Sequence, residues 1–385
     1  MNTSNGPLAG IRIIEFSGIG PTPFACMVMA GLGAEIIRID RPNFAPKLVN
    51  LGLDNNADLM GRDRRSIVLD LKSPKGVDLA KRLVATAEGV IEGFRPMVME
   101  RLGLGPDVLA KVNPQVTYVR MTGWGQNGSL AKTAGHDLNY IAVTGLLNAI
   151  GTKDEPVIPL NVVGDFGGGA CFAVVGMLSG ILSSRVHGRG RVVDAAIVDG
   201  VSLLGSMFRG MLDQGLWSDQ RASNLLDGGS PFYALYRCKD GRYVSVAALE
   251  PQFFNNLVVR LGLQDNPNFK EQYNKDSWPR MREDLTEIFQ NNDSTYFGDL
   301  FYATDCCCAV VEDFHSALAN RHLAERDGFV ELNGVMHPRE APRFDNYSHE
   351  ITAPPRQGQH TREILAEIGL SAHDIESLID QGVCA

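Results

Sequence analysis

Three short stretches carry side chains able to move a proton. Ala-Gly-His-Asp-Leu-Asn-Tyr occupies 134–140, Asn-Val-Val-Gly-Asp-Phe-Gly-Gly-Gly-Ala occupies 161–170, and Leu-Glu-Pro-Gln-Phe occupies 249–253. An imidazole titrates near neutrality, so His136 can serve as acid or base. Asp165 stands ahead of three glycines and an apolar helical run. Glycines let a ligand approach the backbone, and free N–H groups at a helix start can hold developing negative charge. Each residue also has a plainer reading: a structural histidine at 136, a helix cap at Asp165, and a cap at Glu250 ahead of a helix beginning at Pro251. The sequence does not by itself bring the three together.

Anion-binding side chains lie elsewhere, in Arg38–Pro42, Gly61–Ser66, Lys72 and Gly93–Pro96. Several fall at predicted strand ends, where open α/β sheets bind ligands. The planar fork of arginine suits phosphate because it donates two hydrogen bonds at once. The stretch Gly-Ile-Gly-Pro-Thr-Pro (18–23) sits between a strand and a helix, as a dinucleotide fingerprint would, but Pro23 occupies the third glycine position and Arg41 adjoins Asp40. It reads as a tight turn with proline opening the helix.

The elements that must position these residues alternate in the first half. Strand candidates are 11–16, 34–40, 65–71, 89–94 and 115–121, with helical periods between several of them and a further buried strand at 191–200. That alternation predicts a parallel α/β sheet. Near 225–250 the character changes to two alternating segments joined by Lys239-Asp240-Gly241, a hairpin signature, followed by helical patterns at 251–262 and 279–290. The predicted division is a large α/β domain over 1–200, a linker over 201–227, a smaller α+β domain over 228–325, a linker over 326–345, and a closing segment over 346–385.

Composition bounds the function. The chain has 385 residues, 44% hydrophobic and 21% charged, which allows an ample core. A net charge of −9 argues against nucleic acid as a partner. Seven cysteines, three consecutive at 306–308, form no metal-ligand spacing, so no metal site is expected and reduced thiols are. The longest apolar stretch, 170–182, is short and interrupted by glycine, and reads as a core helix with no membrane span. No targeting segment is recognised at either end, so the expected location is cytoplasmic.

Together these stretches resemble the family III CoA-transferase superfamily, and the combination Gly-His-Asp-Leu-Asn-Tyr, Gly-Asp-Phe-Gly-Gly-Gly and Glu-Pro-Gln-Phe resembles its racemase branch. The resemblance runs over nearly the whole chain. It implies a doubly wound large domain built from both chain ends, a small α+β domain, and an interlocked homodimer. The implied activity is racemisation of α-methylacyl-CoA thioesters by removal and return of the α-proton. By position, His136 and Asp165 match the proton-transfer residues, and Glu250 matches the carboxylate that partners the histidine. Arg41, Leu69, Asp70, Leu71, Lys72, Arg95, Gly135, Asp137, Leu138, Asn139 and Tyr140 match CoA-thioester-binding positions. The backbone N–H of Asp137 is the candidate donor to the thioester oxygen. No separate cofactor is implied, since CoA is part of the substrate. In transferase relatives the residue matching Asp137 is a nucleophile, so acyl–enzyme CoA transfer is the rival reading, and a non-catalytic thioester-binding protein is a third. The sequence departs from the pattern at Gly31, where relatives carry aspartate, and at 305–311, Asp-Cys-Cys-Cys-Ala-Val-Val.

Overall fold

The computed structural model describes residues 6–42 and 57–385, which fall into two compact units. The first comprises residues up to 144, 160–204 and 325–385, so both chain ends contribute to it. The second comprises 145–159 and 205–324.

The first unit is built on a six-stranded parallel sheet of β1 (Arg12–Phe16), β2 (Glu35–Asp40), β3 (Arg65–Val68), β4 (Gly89–Glu92), β5 (Thr117–Thr122) and β6 (Val192–Ala196). Their order is β3-β2-β1-β4-β5-β6. The order reverses between β1 and β4, and ligands bind in the crevice that such a reversal opens at the carboxyl ends of the strands. Runs such as Ile13, Ile14, Ile36, Ile37, Val90 and Ile91 are buried, as strands covered on both faces require. The expected strand at 191–200 is shorter. It ends at Ala196, a helix follows over Ile197–Leu204, and only Ala195 and Ala196 of the strand are buried because β6 lies at the sheet edge.

The chain's end closes the opposite edge. Asp70 N–H donates to the Val383 carbonyl at 2.8 Å, and Leu69 bridges to Cys384. Ile364, Leu365, Ile375 and Val383 enter the same core as Ile39, Ile67 and Leu79. The expected linker 326–345 contains an antiparallel pair, β10 (Phe329–Leu332) and β11 (Val335–Pro338). Asn333 and Gly334 both take positive φ, 53° and 78°, the two-residue turn that matches strand twist.

The run Val162–His187 is long and apolar enough, by length and composition only, to cross a membrane. In this unit it is a helix lying against β5 and β6, and Ala173, Met177 and Ile181 are buried. Gly31 is the last residue of the helix Pro21–Gly31, and a Cβ there would stand 3.4 Å from the Cβ of Glu340. An aspartate at 31 would bring a second carboxylate beside that glutamate.

In the second unit, β7 (Tyr233–Arg237), β8 (Tyr243–Ala247) and β9 (Cys308–Val310) form an antiparallel sheet. The expected hairpin is present between β7 and β8, with Gly241 at φ 83°. Its core is aromatic: Phe232, Tyr236, Phe254, Phe289 and Phe297 are buried, and Tyr236 stacks on Phe289 at 5.0 Å. All seven cysteines are free thiols.

One buried carboxyl in the first unit makes a pH prediction. Burial pushes Glu92 up to about 7, against the opposing pull of the Phe94 N–H and Arg120. Between the ordinary carboxylate range and that value, the folded chain holds a proton that the unfolded chain has lost. Glu92 therefore costs increasing stability as pH rises through this window. The stability of Glu92→Gln relative to wild type should rise between about pH 5 and pH 8 in urea titrations. A pH-independent difference would contradict the assignment.

Candidate active site

Every expected site residue in the first unit belongs to a segment beyond the carboxyl end of a strand or to the helical elements that follow. Two groupings result. The first is a cleft of about 600 Å³ lined by Arg41, Asp70, Leu71, Lys72 and Phe94, with Gly382 closing it from the chain's end. The Arg41 guanidinium lies over the Phe94 ring at 5.7 Å, a cation–π contact that fixes the planar group. Lys72 N–H donates to Asp70 Oδ1 at 3.0 Å, which tightens the turn after β3 and leaves the ammonium exposed. Leu69 is fully buried, so its side chain packs the core and only its backbone borders this region.

The second grouping holds the residues expected to transfer the proton. His136 precedes the helix Asp137–Val143. Its N–H donates to Asn139 Oδ1 at 3.1 Å, and its carbonyl accepts from Asn139 N–H at 2.8 Å, so the backbone is pinned while the imidazole stays exposed. Tyr140 folds back and its hydroxyl donates to the Gly135 carbonyl. Trp124 meets Tyr140 edge-on at 4.8 Å. A Cβ on Gly123 would overlap the Tyr140 ring at 1.9 Å, so glycine is required there. Leu138 is exposed at 39% on the same helix, an apolar surface beside the histidine.

Asp165 is not a helix cap. It lies within a π-helical stretch, Val162–Ala170, that continues into the helix Cys171–His187. A π-turn carries an extra residue per turn and re-aims side chains, and such turns recur at functional sites. Phe166 N–H donates to the Asn161 carbonyl at 3.3 Å, the i→i−5 bond of that geometry. Phe166 stacks on Phe24 at 4.5 Å, which ties the turn to the helix after β1. Gly20, at φ 72°, brings the loop after β1 so close that a Cβ there would stand 3.2 Å from Asp165 Oδ2. Thus the Gly18–Pro23 turn approaches a carboxylate.

The electrostatics join these residues. Burial pushes the Asp165 carboxyl up; the Asn161 amide, donating at 3.3 Å, pulls it down; the charge of Asp137 raises it and that of His136 lowers it. Burial raises Tyr140, as does the charge of Asp165, while Arg95 opposes. Asp165 therefore feels His136 and Asp137, and Tyr140 feels Asp165 and Arg95. Sequence reasoning missed Asn161 and Gly20. Asn161 and Asp165 are four apart, a spacing that puts two side chains on one helical face, and this was the available signal.

Glu250 belongs to the second unit. It is exposed ahead of the helix Pro251–Arg260, its carbonyl accepts from Phe254 N–H at 3.0 Å, and its charge helps raise the half-buried Cys307 thiol after burial does. Among the described residues no group of three or more His, Cys, Asp or Glu side chains is arranged to hold a metal ion.

Residues 8–361 match the model of CoA-transferase family III. The chain belongs to that family. It is 37% identical to the human α-methylacyl-CoA racemase over 375 residues, 96% of each chain, and equally to the mouse enzyme. It is 26% identical to the β subunit of a succinyl-CoA–L-malate CoA-transferase from Chloroflexus aurantiacus, over 98% of both chains. Among solved structures, a CaiB/BaiF family protein from Brucella suis superposes with a TM-score of 0.79 at 23% identity, covering 95% of this chain and all of that one. That likeness shows the fold.

Proposed function

We propose that this chain is an α-methylacyl-CoA racemase that interconverts the two configurations at the carbon beside a CoA thioester. The observation that carries the reading is the placement of an imidazole and a carboxyl, His136 and Asp165, within electrostatic reach of one another at the carboxyl end of a reversed parallel sheet. The 37% identity to two racemases over nearly the full chain supports it.

The α-proton of a thioester is far less acidic than either group, and its removal leaves a planar enolate. One base cannot readily serve both faces of that plane. With one configuration the Asp165 carboxylate takes the proton, and the C–H electron pair moves into the enolate. Protonated His136 then delivers its proton to the opposite face. The other configuration reverses the roles. Positioned acid–base groups are worth about 10²–10⁴-fold each. Burial holds Asp165 above the ordinary carboxylate range, which makes it a better match for this work. The Asp137 backbone N–H serves the thioester oxygen, and a donor of this kind is worth roughly 3–4 kcal/mol. Glu250 is assigned to orient the imidazole on the resemblance. The chemistry calls for no separate cofactor.

The phosphates of CoA are assigned to the cleft at Arg41 and Lys72, with Arg95 between that cleft and the acyl end. Arg41→Ala should raise KM about tenfold or more while kcat changes little, because phosphate binding is shared by ground and transition states. The same variant should lose little on a short N-acetylcysteamine thioester. An equal loss on both substrates would remove Arg41 from phosphate binding.

A homodimer is part of the proposal. Val175, Leu182 and Val186 on one helix and Leu203 and Leu204 on the next are exposed, and apolar side chains of this kind are what a partner surface would cover. Separate incubation of each 2-methylacyl-CoA enantiomer tests the activity: both should converge on the same mixture. Retention of each starting configuration would contradict it.

A further inference from the structure

We propose that the Asp137 side chain is a positioning group that clasps the π-turn carrying Asp165 and sets its own charge beside that carboxyl. This rests on the racemase reading and gives the carboxylate a task other than nucleophilic attack.

The geometry is specific. Asp137 Oδ1 accepts the Asp165 backbone N–H at 2.6 Å, and Gly164 N–H faces the same carboxylate. A Cβ on Gly164 would stand 2.2 Å from Oδ1, so only glycine lets the turn come this close. Asp137 is 8% exposed. A π-turn takes backbone donors out of the ordinary helical ladder, and a buried donor without a partner is costly. Here the carboxylate supplies the partner at the residue whose side chain must be aimed. An oxygen committed to these donors is also a poorer nucleophile.

The charges facing Asp165 are few. From its own turn comes the Asn161 amide; from 136–140 come His136, Asp137 and Tyr140, with Arg95 beyond Tyr140. The helix Pro21–Gly31 contributes the uncharged Phe24 ring. On the helix Ile197–Leu204 the one ionisable residue, Asp199, is exposed, and Ile197 and Val201 face the glycines. On β5, Arg120 is paired with Glu92 and Glu100; on β6, Asp194 accepts from the Gln126 N–H. At the far end of Cys171–His187 stand Arg185 and His187. Asp137 is thus the like charge in this set that acts on Asp165.

Two variants test the clasp. Asp137→Asn keeps an oxygen for the Asp165 N–H but removes the charge, and both variants keep the backbone N–H of 137. For the configuration whose proton goes to Asp165, activity falls as pH drops through the Asp165 pKa. In Asp137→Asn that limb should move to lower pH by about half a unit or more. Asp137→Ala also removes the acceptor, and kcat should fall about tenfold or more at similar KM. An unmoved acidic limb in Asp137→Asn, or an undiminished kcat in Asp137→Ala, overturns the proposal. A wild-type protein that racemises neither enantiomer would instead overturn the racemase reading.

Discussion

His136→Ala and Asp165→Ala should each lower the rate of racemisation by about 10²–10⁴-fold, with CoA-ester binding largely retained. Neither side chain lines the cleft assigned to the CoA phosphates, so the nucleotide end has no reason to lose affinity. The two-base account also predicts what survives. A variant with one remaining base can still remove the α-proton of the configuration facing it. In deuterated water it should exchange that position for one enantiomer only, with little inversion. Chiral chromatography gives the inversion rate, and mass spectrometry gives the exchange. Near-wild-type racemisation by either variant would remove that residue from the pair. Loss of fold would instead assign it a structural role. Far-UV circular dichroism separates the two cases, because one-sided exchange requires a folded site.

Arg64→Ala should cost about 3–5 kcal/mol of stability, the largest single effect expected away from the site. Arg64 Nε and Glu15 Oε2 are 2.6 Å apart, and both side chains are completely buried. Arg64 also donates to the carbonyls of Met60, Arg62 and Pro23, so it ties the segment before β3 to the helix after β1. Removing it leaves a bare carboxylate in the interior of β1. Replacing both partners with apolar residues of similar volume, as in Glu15→Leu with Arg64→Met, should recover much of the loss, since the pair as a whole contributes less than its half-removal costs. Chemical denaturation of the two variants beside the wild type decides the matter. A loss below about 1 kcal/mol for Arg64→Ala would mean that water or another cation reaches Glu15.

The sheet was largely legible in the sequence because its strands are buried on both faces. Ile13–Ile14, Ile36–Ile37 and Val90–Ile91 read as apolar runs bounded by turn residues whatever the rest of the chain does. The edge strand β6 was overextended for the complementary reason: Val198 and Val201 continue the apolar pattern, and a run of that kind does not show where strand gives way to helix. The pair β10–β11 was hidden behind the prolines that follow it, although Asn333-Gly334 is itself a hairpin signal. The closing of β3 by residues 358–385 is made by contacts nearly 300 positions apart, such as Thr361 Oγ1 with Val68 N–H, and no local pattern encodes it.

At the site, residue types were legible and conformation was not. His136 and Asp165 stood out because Gly-His-Asp-Leu-Asn-Tyr and Gly-Asp-Phe-Gly-Gly-Gly occur together in one chain. The π-turn did not, because it is fixed by tertiary partners: the Phe24 ring against Phe166, the close approach of Gly20, and the Asp137 carboxylate beneath Gly164. Those contacts turn an apparent cap into an aimed carboxyl. They also bear on the transferase alternative, because Asp137 spends an oxygen on the Asp165 backbone.

Transfer of the α-proton through an enolate is tested by incubation of one 2-methylacyl-CoA enantiomer in deuterated water, with and without a free carboxylic acid. The predicted result is one deuterium at the α-carbon appearing together with the opposite configuration, at a rate independent of the added acid. Transfer of CoA to the added acid with the α-carbon untouched would contradict it and return Asp137 to the role of nucleophile.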